Sequence, residues 1–475
     1  MAGVVEAFLR RQGFALPNDK MRKLQQLWMS WYRGEAIDKA HLYTVRYQDK
    51  PVVCERRRLG MAKVVCEDFG SLLINEHVQI NCDGFDELPD ILSDNEFYTR
   101  MNRLAEITMA TGTGAVVEFM DETGTPTIDY IRAEMVYPLS WDGDRVDECA
   151  FCSKKTVSRE DGTTEEICYV QIHRKIAGGW QIENHWLKSN GDEMPLPDGL
   201  AALSPTSPVP LFQIVRPNTI NTADIDSPLG ASVFADAQEH LIDCDIIWDS
   251  YINEYVLGKK RLLMPLELTQ LLVQHTAANS AFAGDATEQE KLLMQPVFDP
   301  SDTLIYTYSA KDGDKPIELD MTLRVDEHDK GLQRAIDLLS KKCGLGMGRY
   351  QIDGGGVKTA TEGISEKSDL YQSLKRHEKP FGDAIVGMVK ALAFLVGKTA
   401  EDITVKFDDR IIEDAAATLD RQIKMVTNGL QSKLRALMAV HGITEDEAQK
   451  RLEEIAAEEK VSADAAEQAM FGGLG

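Results

Sequence analysis

The sequence predicts an α+β protein of several domains. Between Ala115 and Gln213, short runs rich in β-branched and aromatic residues alternate with turn-forming segments such as DETGT and SNGD, as expected for an antiparallel sheet. On both sides of this region, apolar residues recur every three or four positions, which is typical of helices. The chain has 475 residues, and a prior of about 150 residues per domain suggests roughly three domains.

Helices are predicted before the sheet region. Within the first forty residues, apolar side chains recur at helical spacing and Gly34 follows as a stop. These apolar residues are Leu24, Leu27, Trp28 and Trp31. Two further helices are predicted over Met61–Leu73 and Asn95–Gly114, the second of which closes on glycines.

A long helix of roughly thirty residues is predicted within Ser227–Pro265. Ser227 would cap it with Pro228 in its first turn, and Gly258 and Pro265 would end it. One face carries an apolar and aromatic stripe, made of Ala237, Leu241, Cys244, Trp248, Tyr251 and Tyr255. Much of the other side is acidic, with Asp236, Glu239, Asp243 and Glu254.

A small insertion separates this helix from a second one. Residues Leu266–Thr322 contain one convincing strand, in DTLIYTYSA, and a polar loop rich in alanine and glycine. The second helix, Asp326–Gly344, has acids in its first turn and Lys341 and Lys342 in its last, as the helix dipole favours. Two long helices therefore bracket the insertion.

The C-terminal part is predicted to be mostly helical. A helix over Thr361–Val396 contains Pro380 and Gly382, so we expect a kink there. Residues Ile403–Asp414 predict a strand and a turn, and Ala415–Lys460 predicts a pair of helices.

Charge limits the kinds of partner that the chain can bind. The formal net charge of -25 excludes a broad basic face for nucleic acid, so any DNA contact would be sparse or weak. The acidity is equally consistent with solubility alone. No signal or transit segment is visible, and the longest apolar run, Ala384–Gly397, contains Lys390 and is too short for a bilayer. We therefore expect no membrane contact.

The eight cysteines are scattered, which favours reduced thiols in a cytosolic assembly. Cys149 and Cys152 form one C-x-x-C pair, with Cys168 and His173 downstream, but zinc needs four ligands in a tighter pattern. We interpret these residues as neighbours on strands, and we expect no metal and no cofactor.

The glycine-rich stretch Tyr350–Gly363 is the one candidate for nucleotide chemistry. A P-loop reads G-x-x-x-x-G-K-[ST], whereas here Val357 separates Gly356 from Lys358 and no glycine stands five places before Gly356. The motifs H-E-x-x-H and G-x-S-x-G are also absent. The sequence thus predicts no catalytic residues, and a nucleotide-binding enzyme that uses residues 353–359 is the alternative.

Several segments resemble tailed-bacteriophage portal proteins of the SPP1-type (gp6-like) family. LQQLWMSWYRGE (Leu24–Glu35) resembles that family's N-terminal helix, and Ser227–Pro265 resembles the entry to its stem. KTATEGISEKSDLYQSLKRHEKPF (Lys358–Phe381) resembles the start of its tunnel helix. The resemblance covers almost the whole chain.

The resemblance implies a portal fold with an α/β wing, a two-helix stem, a small α/β clip insertion, a kinked tunnel helix and a helical crown. The implied wing spans 1–226, the first stem helix 227–256, the clip 257–323 and the second stem helix 324–344. A tunnel loop would follow at 345–362, the kinked tunnel helix and a wing strand at 363–413, and the crown at 414–475.

The resemblance also implies a function. About twelve copies would form a ring at one capsid vertex, a channel through which double-stranded DNA is packaged and ejected. Implied partners are the terminase large subunit, the major capsid and scaffolding proteins and a head–tail adaptor. The chain would reside in the virion and, during assembly, in the host bacterial cytoplasm, and it would not be an enzyme. About twelve such chains would carry roughly 300 negative charges, so that DNA could slide without sticking.

Two sets of residues are candidates for this role. The tunnel loop would face DNA with Asp353, Gly354, Gly355, Gly356, Val357, Lys358 and Thr359, where the glycines supply mobility and Lys358 meets phosphates. The stem would contact the channel or neighbouring subunits through Asp236, Glu239, Asp243, Trp248, Lys341 and Lys342. Asp245 is a further acidic candidate, and periodicity does not separate the channel role from the subunit-contact role. Trp248, Tyr251 and Tyr255 are expected to pack between helices of adjacent subunits.

Overall fold

The computed structural model describes residues 2–47, 49–121, 123–158, 164–196, 200–258, 261–265, 305–308, 315, 317–319, 322–352, 360–408, 415–441, 443, 445 and 447–456. These residues form a mixture of helices and mainly antiparallel sheets, which confirms the α+β class. No helix within these ranges combines the length and the apolar character that a bilayer crossing requires.

The N-terminal part packs helices against a large core. Its elements are α1 (Ala2–Arg11), α2 (Asp19–Tyr32), α3 (Asp38–His41), β1 (Leu42–Tyr47), β2 (Lys50–Glu55), α4 (Met61–Leu73), β3 (Gln79–Asp83), α5 (Leu88–Asp94) and α6 (Phe97–Thr111). Asn18 caps α2 by accepting the N–H of Lys20, and the same helix buries Trp28 and Trp31. The predicted helix over Met61–Leu73 is confirmed. The helix predicted over Asn95–Gly114 is confirmed with shorter bounds, because Gly112 ends it with a left-handed φ of 79°.

The β-rich region is antiparallel, as predicted, and forms two sheets. Its strands are β4 (Gly114–Met120), β5 (Pro126–Arg132), β6 (Val136–Asp142), β7 (Arg145–Ser158), β8 (Thr164–Ile176), β9 (Gly179–Lys188), β10 (Glu193–Met194) and β11 (Phe212–Val215). One sheet has the order β11-β4-β5 and the other β10-β9-β8-β7-β6. Side chains from both sheets, including Val117, Phe151 and Phe212, form a core between them, and Phe8 of α1 packs in a separate core on the five-stranded sheet.

Cys152 and Cys168 form a disulfide between β7 and β8, with their Cα atoms 6.5 Å apart. The expectation of reduced thiols throughout is therefore wrong for this pair. Cys152 lies opposite Val170, two residues from Cys168, so that both sulfurs lie on one face of the sheet, a consequence of strand register that spacing alone does not reveal. Within the described residues no group of histidines, cysteines and acids could hold a metal ion.

The second half of the chain contains a pair of long helices and a small sheet. Its elements are α7 (Gln238–Leu257), β12 (Arg261–Pro265), β13 (Ile305–Tyr308), β14 (Ile317–Leu319), α8 (Val325–Lys342), α9 (Ala360–Leu395), β15 (Glu401–Lys406), α10 (Ala415–Thr427) and α11 (Lys433–His441). The predicted strand in DTLIYTYSA is confirmed as β13, which lies in a sheet of order β13-β12-β14. Helix α9 is 36 residues long and continues without a break through Pro380. Strand β15 pairs with β3 of the N-terminal part.

Two predicted boundaries are wrong. The helix expected from Ser227 begins at Gln238, after a single 3-10 turn at Ala235–Ala237. The preceding chain is tied to α6 instead, because Gly230 N–H donates to Thr113 and Val233 N–H donates to the carbonyl of Met109. These tertiary hydrogen bonds compete with the helix that propensity alone predicts. At the C-terminus, residues 447–456 are a third helical segment after α10 and α11, where a pair was expected.

Candidate functional site

Helices α7 and α8, the helix pair, run antiparallel from the main core toward the small three-stranded sheet. At the end near that sheet, Arg324 donates through Nε and Nη2 to the carboxylate of Glu254 at 3.0 and 2.8 Å. The rings of Tyr251 and His328 stack there, with centroids 5.3 Å apart and planes 10° apart. The hydrogen bonds from Arg324 lower the pKa of Glu254 to about 2. An ion pair and a stacked ring pair thus fasten the two helices where the insertion begins.

The middle of α7 is held in the core through acidic side chains. Asp245 is 5% exposed, and its Oδ1 accepts the N–H of Leu59 at 2.7 Å. One turn later, Asp249 Oδ1 accepts the N–H of Arg57 at 3.1 Å. The interpretation of Asp245 as an acidic residue on the stem surface is therefore wrong, because its carboxylate serves buried donors of the N-terminal part.

The other predicted acids of α7 and the segment just before it are exposed. Glu239 and Asp243 lie on the solvent side of the helix, and the hydroxyl of Thr222 donates to Asp236 at 2.8 Å. His240 Nδ1 lies 3.6 Å from Asp243 Oδ2. Their exposure is compatible with either role predicted for them, channel lining or contact between subunits.

The aromatic stripe finds its contacts inside the chain. Trp248 is half-buried, with its ring centroid 6.0 Å from that of Tyr251, whose other neighbour is His328. Tyr255 is 43% exposed. His328 of α8 in the same chain thus stacks on the ring of Tyr251, and the packing of this stripe between subunits stays a prediction.

The cations predicted for the second stem helix lie at the end of α8. Lys341 and Lys342 occupy its last turn and are exposed. That position agrees with the predicted dipole arrangement, in which positive side chains lie near the helix C-terminus.

The chain that leads to the glycine loop is fixed on two sides. Arg349 makes a bidentate ion pair with Asp68 of α4 at 2.7 and 2.6 Å, and the hydroxyl of Tyr350 donates to the same carboxylate at 3.0 Å. On the other side, Gln333 of α8 donates to the carbonyl of Tyr350 and accepts the N–H of Ile352. The loop candidates lie outside the described residues: Asp353, Gly354, Gly355, Gly356, Val357, Lys358 and Thr359.

Sequence reasoning missed these anchoring residues. Asp68 and Arg349 are 281 positions apart, and neither lies in a recognisable motif. The charged residues around the two positions show no sequence spacing from which such a pair could be predicted. The one signal that could have pointed to Arg349 is its place between α8 and the glycine-rich stretch.

A cavity of about 910 Å³ opens between the two sheets of the β-rich region and the end of α9. Aromatic side chains, including Phe119, Phe151 and Trp186, line much of it. Among its polar groups, Gln171 donates to the hydroxyl of Tyr169, which in turn donates to Asn184, whereas Nε1 of Trp186 has no hydrogen-bond partner within the described residues. Sheet packing creates this cavity, so the sequence gives no sign of it.

The family model for phage portal proteins of the SPP1 Gp6-like type matches residues 18–176 and 322–462. The chain belongs to this family. The matched ranges together exceed half of the 475 residues. They include α2 through β8 and α8 through the last described helical segment, and they leave out α7 and the small sheet. No curated protein matches the sequence.

Two solved structures are also similar to the chain. One is a chain of the "Virion of native gene transfer agent (GTA) particle", with 12% identity, a TM-score of 0.40 and coverage of 89% of this chain and 93% of that chain. Another belongs to the "Neck of native GTA particle computed with C12 symmetry", with 11% identity, a TM-score of 0.39 and coverage of 80% and 89% respectively.

Proposed function

We propose that this chain is the subunit of a portal ring, a channel for double-stranded DNA at one vertex of a phage capsid. Membership of the portal family carries the proposal. The family match lies on both sides of the region between the two long helices. The architecture is compatible with it. A mixed N-terminal part continues into α7, the chain forms a small sheet, and α8 returns beside α7.

In this proposal the regions keep the boundaries predicted from the sequence. Residues 1–226 form the wing, to which β15 contributes by pairing with β3. Residues 227–256 and 324–344 form the stem, 257–323 the clip, 345–362 the tunnel loop and 414–475 the crown. Residues 363–413 provide the tunnel helix and the wing strand. The fastening of Glu254 to Arg324 supports a stem that holds the clip at a fixed distance from the wing.

The tunnel loop is proposed to meet the DNA. The preceding residues are anchored to α4 through Asp68 and to α8 through Gln333, so a loop that leaves Ile352 starts from a fixed point. Lys358 would place one positive charge per subunit against passing phosphates, in a ring whose overall negative charge disfavours tight binding. Lys358→Ala is expected to lower packaging efficiency in an assembled system, and unchanged packaging would make this charge dispensable.

The proposed ring does no chemistry of its own. Its partners would be the terminase large subunit and later the head–tail adaptor at the clip, and the major capsid and scaffolding proteins around the wing. ATP hydrolysis would belong to the terminase. The purified chain should therefore neither hydrolyse ATP nor bind it at millimolar concentration, and binding lost in Lys358→Ala would favour the nucleotide-enzyme alternative instead.

Electron microscopy of the purified full chain tests the central claim. Class averages should show a closed ring with an open centre, and native mass spectrometry should give about twelve copies. The measurement should be made over a range of protein concentrations, with and without scaffolding protein, because assembly is a mass-action equilibrium. A chain that stays monomeric under all these conditions would contradict the proposed function.

A further inference from the structure

The outer side of α8 carries a row of cations with one exposed leucine among them. We call this row the basic ridge; it consists of Lys330, Arg334, Leu338, Lys341 and Lys342. All five are exposed, Leu338 at 39%, and the positions 330, 334, 338 and 341 follow one face of a helix. No ion pair or side-chain hydrogen bond engages its cations within the described part of the chain. A row of free cations is unusual in a chain of net charge -25.

The outer side of α7 carries the opposite charge. We call this row the acidic ridge; it consists of Glu239, Asp243, Ile246 and Ser250. Steps of four, three and four residues again follow one helix face, and Ile246 is 39% exposed. The inner face of the same helix is buried, with Leu241 and Cys244 in the main core. Each helix of the pair therefore turns one charged ridge, with one exposed aliphatic residue, away from the core.

The two ridges match in height along the helix pair. Arg324 lies opposite Glu254, and His328 lies opposite Tyr251, so one step back along α7 corresponds to one step forward along α8. Counting from these contacts puts Glu239 between Leu338 and Lys341 in height, and puts Asp243 between Arg334 and Leu338. Acids and cations thus stand at equal heights on two different outer surfaces.

We propose that the acidic ridge of one copy packs against the basic ridge of the next copy around the ring, an inference that rests on the proposed portal function. In a ring of identical chains, each contact joins two different patches, and rotation about the ring axis keeps equivalent residues at one height. Copies of net charge -25 repel one another, so a local match of opposite charges fixes which surfaces meet. Ile246 and Leu338 add apolar area to the contact.

Charge reversal tests this pairing directly. The double variant Arg334→Glu with Lys341→Glu puts acids on the basic ridge at the heights of Asp243 and Glu239, where both ridges are then acidic. Glu239→Lys with Asp243→Lys puts cations on both ridges at the same heights. Each variant alone should lose the ring species in native mass spectrometry, because like charges then face each other at every contact. All four substitutions in one chain exchange the two charges and should restore the ring.

Mixing the two double variants gives a sharper result. At the substituted heights, a copy with acids on both ridges and a copy with cations on both ridges attract each other across both of their contacts, whereas each repels its own kind. An equimolar mixture should therefore form rings in which the two variants alternate, with equal numbers of each and an even total. Ring formation in the mixture also proves that neither variant failed to fold.

A matched control places the same change in charge elsewhere. Lys63 of α4 and Arg103 of α6 are exposed, and Lys63→Glu with Arg103→Glu should leave ring formation unchanged. Rings that survive both reversals would overturn the ridge pairing while the proposed function stands. The pairing is equally overturned if the α8 variant forms normal rings but loses affinity for duplex DNA, since the basic ridge would then contact phosphates. Absence of rings from the wild-type chain would instead contradict the proposed function.

Discussion

Nε2 of His41 lies 2.9 Å from Oδ2 of Asp245, although 204 positions separate the two residues. The N–H of Ile37 donates to Nδ1 of the same ring at 2.9 Å, so Nδ1 is the acceptor and Nε2 the donor to Asp245. His41 is fully buried, and Trp31 packs against its ring with centroids 5.1 Å apart. This contact joins the N-terminal helices to the first helix of the pair through one buried hydrogen-bond system.

Replacing Asp245 by alanine should destabilise the chain strongly. The change leaves Nε2–H of His41 and N–H of Leu59 without their acceptor, and each buried unsatisfied donor costs about 1–3 kcal/mol. We expect the free energy of unfolding, measured with urea, to fall by about 2–6 kcal/mol. Asp383 of α9 is exposed, and Asp383→Ala should change it by at most about 0.5 kcal/mol. Equal effects of the two substitutions would mean that the buried contact contributes nothing.

The sequence predicted the elements whose pattern is local. The helix over Met61–Leu73 was fixed by its apolar spacing, and its inner face, including Val65 and Phe69, is buried as that spacing requires. The antiparallel arrangement of the β-rich region followed from short strands and turn residues. The sequence also predicted the acidic side chains of α7 and the lysines in the last turn of α8. In the structure most of these side chains are exposed.

Features that depend on distant parts of the chain were not predictable in this way. Helical spacing predicted the same role for Asp245 and Asp243. Their roles differ because His41 and Leu59, from a distant part of the chain, both form hydrogen bonds with Asp245. The start of α7 at Gln238 depends on hydrogen bonds between the preceding segment and α6, which propensity does not contain. For the same reason the sequence offered no sign of the ion pair between Asp68 and Arg349. The assignment of residues 353–359 to the DNA stays a prediction.

Two glycines with the same backbone angle allow steric crowding to be separated from strain. Gly112 and Gly124 both have a φ of +79°, where an L-residue is strained. A Cβ atom on Gly124 would meet open space, whereas on Gly112 it would overlap the carbonyl of Gly230 and lie 2.6 Å from the carbonyl carbon of Ala231. The close approach joins the end of α6 to the segment before α7.

We therefore expect alanine to be tolerated differently at the two positions. Gly124→Ala should cost about 1–2 kcal/mol, from the backbone angle alone. Gly112→Ala should cost about 1–3 kcal/mol more, because neither backbone can move without disturbing the hydrogen bond from Gly230 to Thr113. Urea unfolding of the two variants measures the difference. Equal losses would indicate that the segment before α7 moves aside freely.

Arg349 should be needed for order in the chain that leads to the glycine loop. Lysine keeps the charge but cannot reproduce the bidentate geometry with Asp68, so Arg349→Lys should loosen residues 346–352. Hydrogen exchange followed by mass spectrometry should show faster exchange there, with the N–H of Ile352 among the affected groups. Arg103→Lys, on the exposed surface of α6, is the matched control and should change nothing in this segment. Unchanged exchange in Arg349→Lys would show that Tyr350 and Gln333 hold this segment without the bidentate ion pair.

A buried histidine in the β-rich region should make stability depend on pH. His173 is fully buried between the rings of Phe151 and Phe212, with centroids 5.3 and 5.2 Å away. Neither ring nitrogen has a hydrogen-bond partner within the described residues. Burial lowers its pKa to about 3, because nothing in this site compensates a charged imidazolium for the loss of water.

The sign of the effect follows from proton uptake. Below its ordinary pKa of 6.5 the histidine of the unfolded chain binds a proton that the folded chain does not, so the free energy of unfolding falls as pH decreases from 6.5 toward 3. The slope should approach about 1.4 kcal/mol per pH unit for this residue. His377, whose pKa burial lowers to about 4, should add a similar loss between 6.5 and 4.

Urea unfolding at several pH values between 7 and 5 measures this dependence. His173→Phe should reduce the slope of the free energy of unfolding against pH by the contribution of one histidine. The comparison holds whatever the variant does to stability at pH 7, because only the slopes are compared. Parallel curves for the wild type and His173→Phe would show that this ring takes up its proton as readily in the folded chain as in the unfolded one.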